Sequence, residues 1–159
     1  MQSDNPGFLN PFSGFDLAAL LDLRAQSLGS HPFIVWSHFD GPAQTWTYAQ
    51  FADEVARIAG GLAARGVRRG DRVMVYLENC PETLLTMFAC ARLGAIHMPI
   101  NAMAAGPELA WYAQFSGACG AVTQPRLAAT LAAHCPGLRW IAVTSTDAGT
   151  PPDRKSTRL

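Results

Sequence analysis

The sequence predicts an α/β fold with a doubly wound, mostly parallel sheet and flanking helices. Two observations lead to this class. The run from Gly70 to Asn101 reads as strand, helix and strand with short connections, which is typical of a right-handed βαβ unit. Strand-like and helix-like segments then keep alternating as far as Thr144. With 159 residues, 49% of them hydrophobic, the chain is long enough for one domain with a core.

The segments before this unit predict a helix and a hairpin. Asp16 is placed to cap a helix from Leu17 to about Leu28. Phe33–Trp36 is a short apolar strand, and Thr45–Tyr48 is expected to be its hairpin partner. The turn between them is expected at Asp40-Gly41-Pro42, because these residue types favour turns.

A second helix follows the hairpin. Thr47 and Gln50 have the spacing of a capping box, and the helix they open is expected to run to Arg65. Asp53 and Arg57 are expected to form an i,i+4 ion pair on its solvent side.

Within the βαβ unit, proline and glycine mark the helix ends. Asp71–Leu77 is the first strand, and Pro81 begins a helix that runs to Leu93, because a proline costs little at a first helical position. Gly94 is the expected left-handed stop, and Ala95–Ile100 is the second strand. This unit is predicted to form the core of the protein.

The remaining chain repeats the alternation. The predicted elements are a helix that starts at Pro107 and is closed by Gly117, a strand at Ala118–Thr123, a helix from Pro125 to His134 that Gly137 ends, and a strand at Leu138–Thr144.

Composition divides the chain into three parts. We predict that residues 1–14 form a flexible N-terminal arm, that residues 15–146 form the α/β portion, and that residues 147–159 form a disordered tail. The only lysine, Lys155, lies in that tail. Because the closing residues DRKSTRL look like the peptide encoded by a sequencing adapter, we interpret 153–159 as a sequencing-adapter artefact and expect that the gene was cut off there.

Charge and hydropathy argue against several partner classes. The formal charge is zero, which gives no support for nucleic acid as a partner. The most apolar stretch, Leu84–Ile100, contains Arg92 and breaks at Gly94, so no membrane span is expected. Without a signal-like start, we expect a cytoplasmic location. The cysteines at 80, 90, 119 and 135 include no CxxC pair, which favours buried free thiols over a metal site.

No catalytic constellation is visible in the residues alone. Neither a phosphate-binding glycine loop nor a nucleophile elbow is present, so we assign no catalytic, cofactor-binding or metal-binding residue. Glu78 and Asn79 lie at the carboxyl end of a strand, where α/β sheets place ligands, but a helix cap or turn explains them equally. His97 is similarly placed, and a histidine packed in the sheet is the favoured interpretation.

Two longer runs resemble a known family. Thr45–Val73 is similar to the opening of the AMP-forming acyl-CoA synthetases, the adenylate-forming ligases, with their aromatic T-Y motif, helix and G-D-x-V. Leu77–Val122 resembles the same family's N-x-P-E, P-[IL]-N and E-L-x-Y segments. The residues at Asn79–Glu82 and Pro99–Asn101 look most similar to those of members that make CoA thioesters, including the crotonobetaine/carnitine-CoA ligase type.

The resemblance implies that residues 15–146 are the N-terminal, incomplete part of the large domain of such an enzyme. The family joins a small carboxylic acid to CoA through an acyl-adenylate, with ATP, Mg²⁺ and CoA expected for the full-length enzyme. The family's ATP-binding loop and catalytic lysine match no residue here. This chain is therefore expected to bind no ATP, Mg²⁺ or CoA and to be inactive alone. Asn79, His97 and Asn101 stay candidates only for residues that support a site.

Two other functions stay open. A non-enzymatic α/β binding or interaction module could share the fold, whereas a small dinucleotide-binding protein is disfavoured by the missing glycine fingerprint. A sheet cut at this point is also expected to expose an apolar edge or face, which favours association and poor solubility.

Overall fold

A four-stranded parallel sheet forms the centre of the structure, a computed structural model that describes residues 16–38, 41–147 and 149. The elements in chain order are α1 Leu17–Leu28, β1 Pro32–Trp36, β2 Gln44–Thr47, α2 Tyr48–Ala64, β3 Arg72–Tyr76, α3 Pro81–Leu93, β4 Ile96–Ile100, α4 Gly106–Ser116, β5 Gly120–Thr123, α5 Pro125–His134 and β6 Ile141–Val143. The predicted arm at 1–14, Asp40 of the predicted turn, and the predicted tail except residues 147 and 149 lie outside the described residues.

The strand order confirms the doubly wound fold. The sheet runs β4-β3-β5-β6, so the chain moves to one side of β3 to form β4 and then crosses to the other side for β5 and β6. Because parallel crossovers share one hand, this reversal places α3 on one face of the sheet and α4 and α5 on the other. The direction of winding changes between β3 and β5.

Side chains of β3 fill both cores. Val73 and Val75 pack in the cluster that contains residues of α2 and α3. Met74 and Tyr76 point the other way, into the cluster that contains residues of α4 and α5. All four are at most 2% exposed, as expected for a central strand with both faces covered.

A third cluster joins α1 and the β1–β2 hairpin to α2 and α3. Its centre is Phe51, which is 1% exposed and makes edge-to-face contacts with Phe33 at 5.0 Å and Phe88 at 5.4 Å between ring centroids. These aromatic contacts fix the hairpin against the helical face of the domain.

Local helix signals are confirmed where the sequence placed them. The Asp16 carboxylate accepts a 2.7 Å hydrogen bond from the Ala19 N–H, and Thr47 and Gln50 form both bonds of the capping box. Gly94 ends α3 with a φ of 64°, in the left-handed region where glycine has no steric cost.

Two predictions in the N-terminal half are wrong. Tyr48 belongs to α2 and not to the hairpin strand, because the capping box already starts the helix after Thr47. Arg57 pairs with Glu54, one turn back at i,i+3, rather than with Asp53.

Strand lengths and one helix end also differ from the prediction. The strands β3, β5 and β6 are shorter than the apolar runs from which they were predicted. Helix α5 is capped by Cys135 and not by Gly137.

No helix in the described part of the chain is long and apolar enough to cross a bilayer.

Candidate functional site

The carboxyl ends of β3 and β5 meet where the direction of winding changes. In open α/β sheets this switch point is the usual location of a ligand. Glu78 follows β3 and Gln124 follows β5, and the two strands are hydrogen-bonded neighbours. The sheet therefore brings together two polar side chains that lie 46 residues apart in sequence.

Gln124 is the centre of a hydrogen-bond network at this point. The side chain is 1% exposed, and its Oε1 accepts a 2.9 Å bond from the Glu78 backbone N–H. Its Nε2 donates to Glu78 Oε2 at 3.1 Å and to Asp147 Oδ1 at 3.2 Å. The amide thus ties the ends of two strands to the segment that follows β6, and each partner satisfies a polar atom that burial would otherwise penalise.

Arg126 closes the same network from the first turn of α5. Its backbone N–H donates to Asp147 Oδ1 at 2.9 Å, and its Nε donates to Glu78 Oε2 at 3.3 Å. A second guanidinium nitrogen pairs with Glu78 Oε1. The Glu78 side chain is only 13% exposed, so this two-point contact neutralises a carboxylate that is largely removed from water.

A cavity of about 600 Å³ opens beside the network, at the carboxyl ends of β3 and β4. Its walls are mainly apolar, and Glu78 is the one charged residue among those lining it: Val75, Leu77, Glu78, Asn79, Thr83, Pro99, Ile100, Asn101, Ala102 and Gly149. Because Arg126 already pairs with that carboxylate, the cavity suits an uncharged group with an apolar body and some capacity for hydrogen bonding.

The structure brings three of the four residues singled out in the sequence into this cavity. Glu78, Asn79 and Asn101 line it together, and Asn101 Oδ1 accepts a 2.9 Å bond from the Met103 N–H. The helix-cap alternative for Glu78 and Asn79 is wrong, because the N-cap residue of α3 is Cys80 and no side chain caps that end.

His97 is not among the cavity's lining residues. Its ring packs within β4, where Nε2 is buried without a hydrogen-bond partner. Burial lowers the pKa of His97, so the ring is neutral at pH 7. This placement agrees with a histidine packed in the sheet.

Sequence reasoning missed Gln124, Arg126 and Asp147. Gln124 stands directly before the helix-opening Pro125, as Asn79 nearly does before Pro81 in the βαβ unit. That shared position, a polar residue between a strand and a proline-started helix, was the available signal for Gln124. Asp147 carried no signal, because the loop after β6 reaches the switch point only in three dimensions.

The cysteines are confirmed as buried free thiols. Burial raises the pKa of Cys80 to about 11 and that of Cys90 to about 12. Both thiols therefore stay protonated and unreactive near neutral pH. Within residues 16–38 and 41–147 no group of three metal-ligating side chains is placed to hold an ion.

These thiols predict a loss of stability at alkaline pH. The folded state keeps Cys90 protonated up to about pH 12, whereas the unfolded thiol ionises near 8.5, so unfolding releases a proton between these values. The free energy of unfolding should therefore fall as pH rises above about 9. Urea unfolding between pH 7 and 10.5 measures this, and Cys90→Ala should make the decline shallower. An equally steep decline in that variant would contradict the assignment.

The chain matches one protein family over most of its length. The family model described as AMP-binding enzyme matches residues 21–156. A crotonobetaine/carnitine–CoA ligase from Salmonella paratyphi A is 36% identical over 103 residues, which are 65% of this chain and 20% of that protein. The chain thus spans about one fifth of the length of the curated relatives it matches.

Solved structures agree with the fold. The N-terminal domain of FACL13 from Mycobacterium tuberculosis has a TM-score of 0.73 at 25% identity, over 81% of this chain and 33% of that one. A long-chain-fatty-acid–CoA ligase from Archaeoglobus fulgidus has a TM-score of 0.75 at 22% identity, over 84% of this chain and 28% of that one, and supports the fold alone.

Proposed function

Because this chain belongs to the AMP-binding enzyme family, we propose that it forms the N-terminal α/β portion of an ATP-dependent carboxylate–CoA ligase. In the proposed reaction a carboxylate attacks the α-phosphate of ATP to give an acyl-adenylate and pyrophosphate. The CoA thiol then displaces AMP to give the thioester. The single observation that carries the proposal is the family match over 21–156, and the 36% identity to crotonobetaine/carnitine–CoA ligases agrees with it.

The residues at the switch point do not fit Mg²⁺-ATP. A triphosphate needs several cationic or N–H donors around it, and a magnesium ion needs oxygen ligands on one or two carboxylates. At the switch point Arg126 pairs with Glu78, and Asp147 accepts bonds from Gln124 and Arg126. No lysine occurs before Lys155. We therefore derive no step of the reaction from this part of the chain, and ATP, Mg²⁺ and CoA are proposed as ligands of the longer enzyme.

The proposed role of the chain is that of a scaffold. The network of Glu78, Gln124, Arg126 and Asp147 ties the carboxyl ends of β3 and β5 to the segment after β6, at the edge of the sheet where family members would build a site. The neutral cavity beside it could line part of the space for an uncharged portion of a substrate.

The purified chain should not catalyse exchange between pyrophosphate and ATP with crotonobetaine, carnitine or simple fatty acids. The physical reason is that Arg126, the cation at the switch point, already pairs with Glu78 and is not free to stabilise charge on a transferring phosphoryl group. Radiolabelled pyrophosphate measures the exchange, with a complete crotonobetaine/carnitine–CoA ligase as the positive control. Measurable exchange by this chain would show that its residues supply the chemistry after all.

The source DNA decides between the ligase and a non-enzymatic module. A reading frame that continues past codon 152 into a glycine-rich loop bearing a lysine supports the ligase. A stop codon immediately after the α/β portion would instead favour a binding or interaction module.

A further inference from the structure

The zero net charge of the chain hides a separation of charge along the sheet. Because the strands are parallel, their first residues share one edge, which we call the amino edge. Arg139, just before β6, lies there with its guanidinium 3.6 Å from Asp71 Oδ2. Four more arginines stand between the end of α2 and the first residue of β3, with Asp71 as the one carboxylate in that run: Arg65, Arg68, Arg69 and Arg72. The amino edge is therefore strongly positive.

The opposite edge, where the strands end, carries the opposite sign. Glu78 and Asp147 lie at this carboxyl edge, and both contact Arg126. Glu82, in the first turn of α3, adds a third carboxylate. The molecule is thus polarised, and its positive end is the one farther from the cavity beside Glu78.

Most of the positive charge at the amino edge is available to a ligand. Arg65 is the exception, because its guanidinium donates to a carbonyl of α2 at 2.9 Å. Arg139 is 56% exposed, and its contact with Asp71 is long. The carboxylate of Asp71 is already held by a backbone N–H at 2.9 Å, so it does not depend on Arg139. The other three arginines of the edge are exposed: Arg68, Arg69 and Arg72.

Exposed apolar side chains accompany these charges. Ile96, the first residue of β4, is 47% exposed and pairs with Arg72 in the ladder. Helix α4 also ends at this edge, because two residues after Gly117 the Cys119 N–H donates to the Arg72 carbonyl at 2.9 Å. The last two turns of α4 carry a pair of exposed aromatic rings, Trp111 at 56% and Phe115 at 77%.

We propose that the amino edge is a docking surface for an anionic lipid bilayer. In this arrangement the guanidinium groups of the four exposed arginines contact lipid phosphates, and the apolar side chains beside them enter the headgroup layer. Arginine suits this position because its apolar stem can lie along the acyl boundary while its charged end stays with the headgroups. Docking by the amino edge leaves the carboxyl edge, with its cavity, facing the solvent.

A lipid surface fits this edge better than nucleic acid. The rings of Trp111 and Phe115 are stacked on each other, with 4.9 Å between centroids and 8° between planes, so each has one face less to offer to a nucleotide base. Ile96 is aliphatic and contributes nothing to base stacking. The boundary between headgroups and acyl chains accepts both kinds of side chain.

The described chain after β6 does not approach this surface. It leaves the sheet at the carboxyl edge, where Asp147 accepts bonds from Gln124 and Arg126. A cluster of guanidinium groups also resists being covered by apolar chain, because each would lose its water without gaining an anion. An anionic partner is therefore the covering that the amino edge favours.

Flotation with phospholipid vesicles tests the docking, because aggregated protein sinks and is not counted. At low salt the 159-residue chain should float with phosphatidylcholine vesicles that contain about 30% phosphatidylserine, and it should stay at the bottom with pure phosphatidylcholine vesicles. Raising the salt to about 0.5 M should release it, since exposed charges are then screened.

Substitutions locate the contact. Arg72→Gln should lower the partition coefficient about fivefold, and Arg68→Gln combined with Arg72→Gln about 25-fold, whereas Arg72→Lys should keep the binding of the wild type. Phe115→Ser should weaken binding about tenfold by removing apolar contact. Arg57→Gln is the matched control, because it removes the same charge from a 71% exposed side chain that lines a groove with Glu82, and it should change nothing. Circular dichroism verifies that each variant is folded.

Every other outcome overturns the proposal. No flotation, or equal flotation with both kinds of vesicle, would mean that anionic lipid is not recognised. Flotation that survives the loss of Arg68 and Arg72 would mean that another surface is used. Displacement from vesicles by polyuridylate or by inorganic phosphate, each at matched ionic strength, would assign the arginines to nucleic acid or to free phosphate. Because the docking rests on charge at the amino edge and not on the proposed ligase, the flotation and exchange assays fail independently.

Discussion

Replacing Gly120 with alanine is expected to lower the free energy of unfolding by about 3 kcal/mol, or to prevent folding. A Cβ at this position would lie 2.1 Å from the ring of Trp140, a distance that real Cβ contacts do not reach. Gly120 is buried in β5 and pairs with Val73 of β3, so its backbone has a neighbour on that side that cannot easily give way.

Trp140 cannot easily move either. Its backbone carbonyl accepts a 3.1 Å bond from the Ala121 N–H, and its ring packs against the α2/α3 core. Moving the ring outward would break packing on one side, and moving the backbone would break the β5–β6 ladder. A single added methyl group is therefore opposed on every side, which is the condition for a large overpacking cost.

Two glycines provide matched controls for this substitution. Gly137→Ala should change stability by less than about 0.5 kcal/mol, because no atom lies within 4 Å of the position that its Cβ would take and its φ is not positive. Gly106→Ala would meet the His134 ring at 2.2 Å, but that ring is at the exposed end of α5 and can rotate away. Urea unfolding followed by circular dichroism should rank the losses as Gly120, then Gly106, then Gly137. Equal stability of the Gly120 and Gly137 variants would refute the packing argument.

Local signals explain why much of the fold could be predicted. Thr47 and Gln50 contact each other within one helical turn, and Gly94 stops α3 through its own backbone freedom. Such features depend on neighbours in sequence, so they can be recognised without knowing the topology. The alternation of strands and helices then predicts a doubly wound sheet, because few connections are possible between parallel strands.

Features that depend on a choice between similar neighbours could not be predicted as well. Arg57 can reach a carboxylate three or four residues back, and in the structure its guanidinium pairs with Glu54. The end of the hairpin at Thr47 is set by competition between strand pairing and the capping box, which the sequence alone does not resolve.

The candidate site needed the strand order. Glu78 could be placed at the carboxyl end of β3, but its partner is Arg126, 48 residues away on α5. That contact exists because β5 lies next to β3 while β4 lies on the other side. Periodicity predicts which segments are strands, whereas strand order emerges from packing of the whole domain. The resemblance identified the family, and it could not supply this network because its motifs end before Gln124.

Replacing Gln124 with glutamate is expected to destabilise the fold by about 3 kcal/mol at pH 7. The change keeps the shape of the side chain but turns the Nε2 donor into a carboxylate oxygen. That oxygen would face Glu78 Oε2 and Asp147 Oδ1, which the amide now contacts at 3.1 and 3.2 Å. Two hydrogen bonds are lost, and a third negative charge enters a position that is 1% exposed.

The dependence of this loss on pH distinguishes charge repulsion from simple misfit. Burial and the two neighbouring carboxylates should raise the pKa of the new glutamate above its ordinary value of about 4.3. Its folded form therefore binds a proton more readily than its unfolded form, so the deficit relative to wild type should shrink as pH falls from 7 towards 5. Gln114→Glu, on the exposed side of α4, is the matched control and should cost no more than about 0.5 kcal/mol at either pH. A deficit at Gln124 that is the same at both pH values would show that shape, and not charge, holds the network together.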